Sequence, residues 1–245
     1  MASSAFAAAL VLAGVFAAAR SLGAAELPHR RRWISAASGA SVAYVFADLL
    51  PEMATRQRAF LEAAGGGLLF AEQRIYVLAL AGFVVSYGLE HMVLTSSARG
   101  RTDAGDGGDP VYWLHVGGFA AYSAVIGYLL VERAKYGALA LVLYTAAMAF
   151  HFAVVDRSLR HEHGHAYDQR GRWALATSVL VGCLLGMVTR LSDLSVARIF
   201  AFVAGGVVIT SATAELPARD GRFWAFCLGA GVYTVLLLLA GWKSA

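Results

Sequence analysis

The 20 residues YGALALVLYTAAMAFHFAVV, from Tyr136 to Val155, decide the fold class. They contain no Asp, Glu, Lys or Arg, and a helix needs about 20 such residues to cross the hydrocarbon core of a bilayer. An ionisable side chain within that core costs several kcal/mol unless it is paired, hydrated or bound to a ligand. The stretch therefore predicts a transmembrane helix and makes His151 a functional candidate.

Seven further apolar runs surround this stretch, so the sequence predicts an all-α membrane protein, an eight-transmembrane-helix bundle that forms a single domain over residues 1–245. The composition agrees, because 59% of the residues are hydrophobic and only 15% are charged, against roughly 25% charged in an ordinary soluble domain. The predicted spans are about 5–22, 33–53, 74–96, 111–131, 136–155, 173–188, 196–216 and 223–242.

Two polar segments separate these spans. Residues 97–110 are rich in Gly and Asp and predict a flexible loop. Residues 156–172 are charged and rich in histidine, and they predict a second polar loop.

The distribution of charge favours one orientation in the membrane. The first basic residue is Arg20, so the positive start of a signal peptide is missing, and a retained first helix is favoured over a cleaved signal. Most of the 20 Lys and Arg lie in the connections that face the cytoplasm if the N-terminus is outside. We expect a multi-pass protein of a cell membrane, the bacterial inner membrane, with the lipid bilayer as a partner and no nucleic acid.

The second span places oxygen-bearing side chains on one helical face. Tyr44, Asp48 and Glu52 are spaced four apart, and Pro51 cannot donate to the carbonyl one turn earlier. Two carboxylates and a free carbonyl suit a cation or a proton. The alternative is an interfacial helix end, with Glu52 in water.

The third and fourth spans each contribute candidate ligands. Glu90 and His91 lie near the end of the third span, where they hold a metal or reach the headgroups. His115 opens the fourth span, where an imidazole in lipid acts as a ligand or as a hydrogen-bonded packing residue.

The fifth span is the richest in polar candidates. Tyr144, Met148 and His151 fall on one face at helical spacing, whereas Asp156 is offset from His151 by roughly 140°. Neutral imidazole is a good zinc ligand, with a carboxylate as a charged companion. His151 is therefore the strongest single candidate, and Asp156 a weaker one.

Further candidates follow the fifth and seventh spans. His161, His163 and His165 form either a chelating segment or an ordinary solvated stretch. Glu215 precedes Leu-Pro near the end of the seventh span and echoes the Leu-Pro-Glu ending of the second, as in a weak internal repeat.

These motifs together resemble the ZIP (Zrt/Irt-like) family of divalent-metal transporters, which also have eight helices and a variable loop after the third. The resemblance covers most of the chain through short matches. The stretches that carry it are Asp48–Glu52, 82–91, 146–151 and 205–217.

The resemblance implies a carrier rather than an enzyme, with no prosthetic group and with zinc or a similar divalent cation as the substrate. The expected site combines His151, His115 and Asp48 near the bilayer middle. The chain departs from the family pattern, since Phe152 and Val155 stand where the fifth helix normally carries carboxylates.

Other functions remain open at this point. One is a zinc-dependent intramembrane hydrolase, in which histidines hold the metal and an acid activates water. Another is a structural or regulatory membrane protein that does not transport. The small residues within the spans are compatible with a homodimer.

Overall fold

We analysed a computed structural model that describes residues 2–24, 30–63, 73–98, 110–215 and 222–242. Within these ranges the chain is helical and has no strand, which confirms the all-α fold class. Three π-helical turns, π1 (Val45–Leu49), π2 (Tyr167–Gly171) and π3 (Ser211–Glu215), interrupt the helices. The helices are α1 (Ala2–Ala24), α2 (Arg30–Tyr44), α3 (Leu50–Ala63), α4 (Arg74–Ala98), α5 (Pro110–Ala134), α6 (Ala138–Ala166), α7 (Arg172–Val188), α8 (Asp193–Thr210) and α9 (Phe223–Trp242).

Three helix pairs make the most extensive contacts in the described chain, and each pair meets at two glycines. They are α2 with α9, α4 with α8, and α5 with α7. A Cβ on either glycine would overlap the backbone carbonyl of the residue three places before the partner glycine. The facing glycines are Gly39 and Gly229, Gly82 and Gly205, and Gly127 and Gly182.

This reciprocal arrangement is compatible with paired helices that run parallel, and contacts on the same side of the facing glycines show this direction. Cβ atoms lean toward the N-terminus of a helix, so two parallel helices each meet the carbonyl that precedes the partner glycine. The α4–α8 pair agrees, because Glu90 lies eight residues after Gly82 and contacts Thr213, eight residues after Gly205.

The chain direction of α6 follows from its contacts with α5. His115 near the start of α5 meets His163 near the end of α6, and Tyr122 meets His151, so these helices are antiparallel. Because α7 runs parallel to α5, the chain must reverse between α6 and α7. The reversal lies at Gly164, whose φ of 50° is in the left-handed region that favours glycine.

The number of spans differs from the prediction of eight. Six stretches of the described chain are long and apolar enough to cross a membrane, and the apolar helix Ala2–Ala18 is shorter. One of the six, Ala138–Val188, covers both the predicted fifth and sixth spans. The described chain is thus compatible with a multi-pass membrane protein, but eight spans are not found.

The predicted polar loop over 156–172 is helical instead. Its residues form the end of α6, π2 and the first residue of α7. The charges there pair locally, since Arg160 binds both Asp156 and Asp168, and these pairs remove the need for a solvated loop. Of the other predicted loop, residues 99–109 lie outside the described residues.

Two spans expose most of their surface. In the apolar parts of Arg74–Thr95 and Phe223–Ala240 only 11% of the residues are buried, against 61% in Asp193–Thr213. Large apolar side chains such as Leu80 on α4 and Leu238 on α9 are exposed. In a bilayer these faces contact acyl chains, whereas polar side chains such as His115 and His151 are buried inside the bundle.

We predict that Gly127→Ala destabilises the bundle, whereas Gly117→Ala on the same helix does not. A methyl at Gly127 would overlap the carbonyl oxygen of Val179, while no other atom lies within 4 Å of a methyl at Gly117. Overpacking of this kind costs about 1–3 kcal/mol. Thermal unfolding of the purified chain, followed by circular dichroism, should show a lower Tm for Gly127→Ala alone. Equal Tm values for the two variants would contradict the parallel-pair geometry.

Candidate metal centre

His115, Glu162 and His163 form a compact group of potential metal ligands. Nδ1 of His115 lies 2.9 Å from Nε2 of His163 and 3.5 Å from Oε2 of Glu162. One ligand atom from each residue lies within 4.8 Å of the others. Within the described residues this is the one group of three or more His, Cys, Asp or Glu side chains with such spacing.

The fold brings these residues together through the reversal at Gly164. His115 lies in the second turn of α5, and Glu162 and His163 are the last two residues before that glycine. Tyr112 supports the arrangement, because its hydroxyl donates to the carbonyl of Ala166 at 3.1 Å. Its ring also stands edge-on to the imidazole of His163, with centroids 5.1 Å apart. The turn and the tyrosine together hold His163 against α5.

A small cavity of about 20 Å³ adjoins the group, which is room for about one water-sized sphere. Its lining comes from α4, α5, α6, α8 and π3 and includes His115, Glu162 and Glu90. Ser158 donates to Oε1 of Glu162 at 3.2 Å, but Oε2 is buried and accepts no hydrogen bond. A buried carboxylate oxygen without a donor is costly unless a cation or a proton satisfies it.

The donor set fits a zinc-like ion. Two imidazoles and one carboxylate are a common set of protein ligands for Zn²⁺, with bonds of about 2.0–2.2 Å. Two nitrogens around a tetrahedral ion of that size lie about 3.3 Å apart, close to the 2.9 Å between the two imidazoles here. The spacing of the two imidazole nitrogens is therefore compatible with such an ion, and Oε2 of Glu162, 3.5 Å from Nδ1 of His115, can approach as the third ligand.

His151, the strongest candidate from sequence, lies elsewhere. Its imidazole is fully buried, and Nε2 lies 3.0 Å from the hydroxyl of Tyr122. Tyr122 follows His115 by seven residues, about 10 Å along α5, and the ring of Phe119 contacts both His115 and Tyr122. The expected convergence of His115 with His151 is not found, since His115 meets His163 and Glu162 instead.

Asp48 and Glu52 are also far from the histidines. Both carboxylates accept from the guanidinium of Arg133, and Asp48 does so at 2.9 Å. Arg133 lies 18 residues after His115 in the same helix, about 27 Å away. Asp48 and Glu52 do lie on one face as predicted, but the positively charged side chain of Arg133 occupies that face.

Asp156 serves a local network instead of the His115 group. Its carboxylate accepts from Arg160 and from the hydroxyl of Tyr167, each at 2.9 Å. Arg160 also binds Asp168. These contacts tie the end of α6 to π2 across the reversal.

The remaining candidates fall into three groups. Glu90 lines the cavity beside His115 and is the one predicted carboxylate near the group. His91, His161 and His165 are exposed, and His165 contacts Gln169 at 2.7 Å. Glu215 is the last residue of π3, its side chain lies outside the described residues, and its role stays a prediction.

Sequence reasoning misses Glu162 and Arg133 as site residues. Glu162 stands next to His163, but a loop gives it no fixed direction, and only a helical reading of 156–172 would place it opposite α5. The sequence pattern puts Arg133 in a turn, although it belongs to the last turn of α5.

Comparisons with protein-family models, with curated proteins and with solved structures find no match for this chain. The geometry of the described residues is therefore the basis for assigning a function.

We predict that Arg160→Gln destabilises the fold by about 1.5–3 kcal/mol, the usual cost of losing a hydrogen bond to a charged group. The carboxylate of Asp156 is only 3% exposed and would keep Tyr167 as its remaining donor. The matched control is Arg157→Gln, three residues earlier and exposed. Chemical unfolding in detergent measures both variants, and an unchanged midpoint for Arg160→Gln would show that the network is dispensable.

Proposed function

We propose that this chain binds a divalent transition-metal cation, zinc or a similar ion, at His115, Glu162 and His163 and carries it across the membrane. The observation that supports this proposal is a buried pair of imidazoles with a carboxylate inside an apolar helical bundle. The proposal keeps the metal-carrier function implied by the ZIP resemblance. It moves the ligands from His151 and Asp48 to the end of α6.

The energetics of the group favour a bound cation. Glu162 presents a buried oxygen with no donor, and intramembrane carboxylates and imidazoles are costly unless they are paired or bound. A divalent cation would satisfy that oxygen and both imidazoles at once. Imidazole ligands favour zinc-like ions over calcium and magnesium, which prefer oxygen.

The position of the group between helix pairs favours transport over permanent binding. His115 belongs to the α5–α7 pair, and Glu90 across the cavity belongs to the α4–α8 pair. A movement of one pair against the other would change the ligands around the ion. Such rocking of packed helices is how many carriers alternate access to a central site.

The proposal includes a finer topology. We propose eight crossings, because α6 and α7 run in opposite directions and α1 supplies the eighth. A straight helix with the 51 residues of Ala138–Val188 would be about 76 Å long, more than twice the roughly 30 Å hydrocarbon core. An outside N-terminus and a bacterial inner membrane remain part of this proposal.

One observation favours a second function, a zinc-dependent intramembrane hydrolase. Catalytic zinc sites combine three protein ligands with an open position for water, and the cavity beside the group has room for about one water. Glu90 lines the same cavity and could exchange a proton with that water.

The decisive experiment compares His163→Ala with His165→Ala in proteoliposomes loaded with a zinc-sensitive dye. His163 is in the group, whereas His165 is exposed and two residues away. We expect His163→Ala and His115→Ala to lower the zinc affinity and the initial uptake rate by at least about tenfold, since even outer-shell losses cost 10–100-fold. His165→Ala should behave as the native chain does.

The same preparation separates the alternatives. Zinc that binds to the native chain without entering the vesicles, together with zinc-dependent cleavage of a membrane substrate, would favour the hydrolase. Native affinity in both His115→Ala and His163→Ala would overturn the proposed site.

A further inference from the structure

The opposite end of α5 carries a second polar arrangement that the metal group does not use. A cavity of about 660 Å³, here called the far chamber, lies between α3, α5, α8 and π1. Its lining includes the exposed Pro51, Thr55 and Tyr136 and, more deeply, Asp48, Glu52 and Arg133. The side chains of these last three are 29%, 16% and 15% exposed, respectively. These three side chains form the floor of a chamber that is open at the protein surface.

Arg133 joins the helix pairs at this floor. Its guanidinium binds Asp48 in π1 and Glu52 in α3, both on the chain that continues α2. Glu52 also binds Arg56 at 2.6 Å, and the Arg56 guanidinium lies 4.6 Å from the ring centre of Phe200 in α8. We call the Arg133–Asp48–Glu52 contacts the Arg133 clamp. With Arg56, the clamp connects one helix from each of the three parallel pairs.

Two buried tyrosines lie on the inner side of the clamp. The Arg133 guanidinium is 5.4 Å from the ring centre of Tyr144, whose ring packs edge-on to Tyr44 with centroids 6.1 Å apart. Met148 and His151 follow Tyr144 by one and two turns along α6, and both are buried. Along α6, the Tyr144 ring therefore lies between the clamp and the buried Met148 and His151.

We propose that the Arg133 clamp is a closed gate between the far chamber and the interior of the bundle. A cation that reaches the clamp replaces the guanidinium as the partner of Asp48 and Glu52. The carrier step in this inference rests on the proposed function. Arg133 acts as a tethered cation, which holds both carboxylates while the gate is shut. Opening requires the carboxylates to exchange one positive partner for another, so they are never left charged and unpaired.

The partial exposure of the clamp favours a gate over a permanent structural ion pair. All three side chains are partly exposed to the chamber, so their pairing exchanges more readily than that of a fully buried ion pair. The two carboxylates also provide the oxygen ligands that a divalent cation can use after leaving imidazoles.

The test measures access to the interior from the far chamber. Met148→Cys, made together with Cys183→Ser and Cys227→Ser, places one thiol on the inner side of the two tyrosines. The rate of its reaction with a water-soluble methanethiosulfonate is measured in nanodiscs without metal. We expect Arg133→Gln to raise this rate at least tenfold. The matched control is Lys135→Gln, two residues later, whose side chain is 57% exposed and binds Glu132.

A second variant controls for destabilisation by carboxylates left unpaired. Asp48→Asn, Glu52→Gln and Arg133→Gln together remove the charges of the clamp and leave no unpaired ion in the floor. A gate predicts fast labelling in this triple variant as well. Labelling at the native rate in the triple variant, with native circular dichroism, overturns the inference and assigns the clamp a purely structural role.

Zinc added to the labelling assay tests the exchange step. We expect zinc to speed the labelling of the thiol introduced by Met148→Cys, and to do so also when His163→Ala is present, because zinc can reach Asp48 and Glu52 through the far chamber. If zinc binds to the native group yet leaves the labelling rate unchanged, cation exchange at the clamp is wrong while the proposed metal site stands. If zinc does not bind, the proposed function fails. The labelling rates without metal still decide whether Arg133 closes the interior to the far chamber.

Discussion

Backbone-to-backbone approach at facing glycines is the interaction on which the rest of this structure depends. Lipid tails are as apolar as the side chains of a helix, so helices associate in a bilayer through close packing and hydrogen bonds. A Cβ at Gly39, Gly82 or Gly127 would overlap a carbonyl of the partner helix. Three parallel pairs therefore form with fixed crossing points, and α6 lies among them with contacts to α1, α2 and α5.

The two polar groups lie between helices of different pairs or between a pair and α6, and this placement follows from the same constraint. Within a pair the glycines leave no room for side chains at the crossing. Between pairs, His115 faces Glu162 and the cavity lined by Glu90. At the other end, Arg133 bridges from α5 to Asp48 in π1. Movement between pairs would change the polar contacts while the glycine contacts stay intact.

Sequence reasoning recovers the helices because apolar length is a local property, and it finds His115 and Glu90 as candidates because an ionisable residue in an apolar run is visible. It finds His163 through the local cluster of histidines in 161–165. It fails on their partners. Helical spacing tells which residues share a face, but it does not tell which neighbouring helix that face meets. His151 shares a face with Tyr144 as expected, yet its contact is the hydroxyl of Tyr122 and not His115. The antiparallel register of α6 against α5 fixes that outcome, because it pairs His115 with His163 and Tyr122 with His151.

The two polar ends of α5 differ in chemistry, and this difference bears on how an ion could move between them. One end offers two imidazoles and a carboxylate, which bind a borderline metal through nitrogen. The other offers carboxylates already neutralised by Arg133. Between them lie about 27 Å of helix, in which the aromatic ladder of Phe119 and Tyr122 leads to the fully buried His151. A cation cannot cross that distance through fixed side chains, so any transport would require relative motion of the helix pairs. The contacts at the facing glycines would stay intact during such motion.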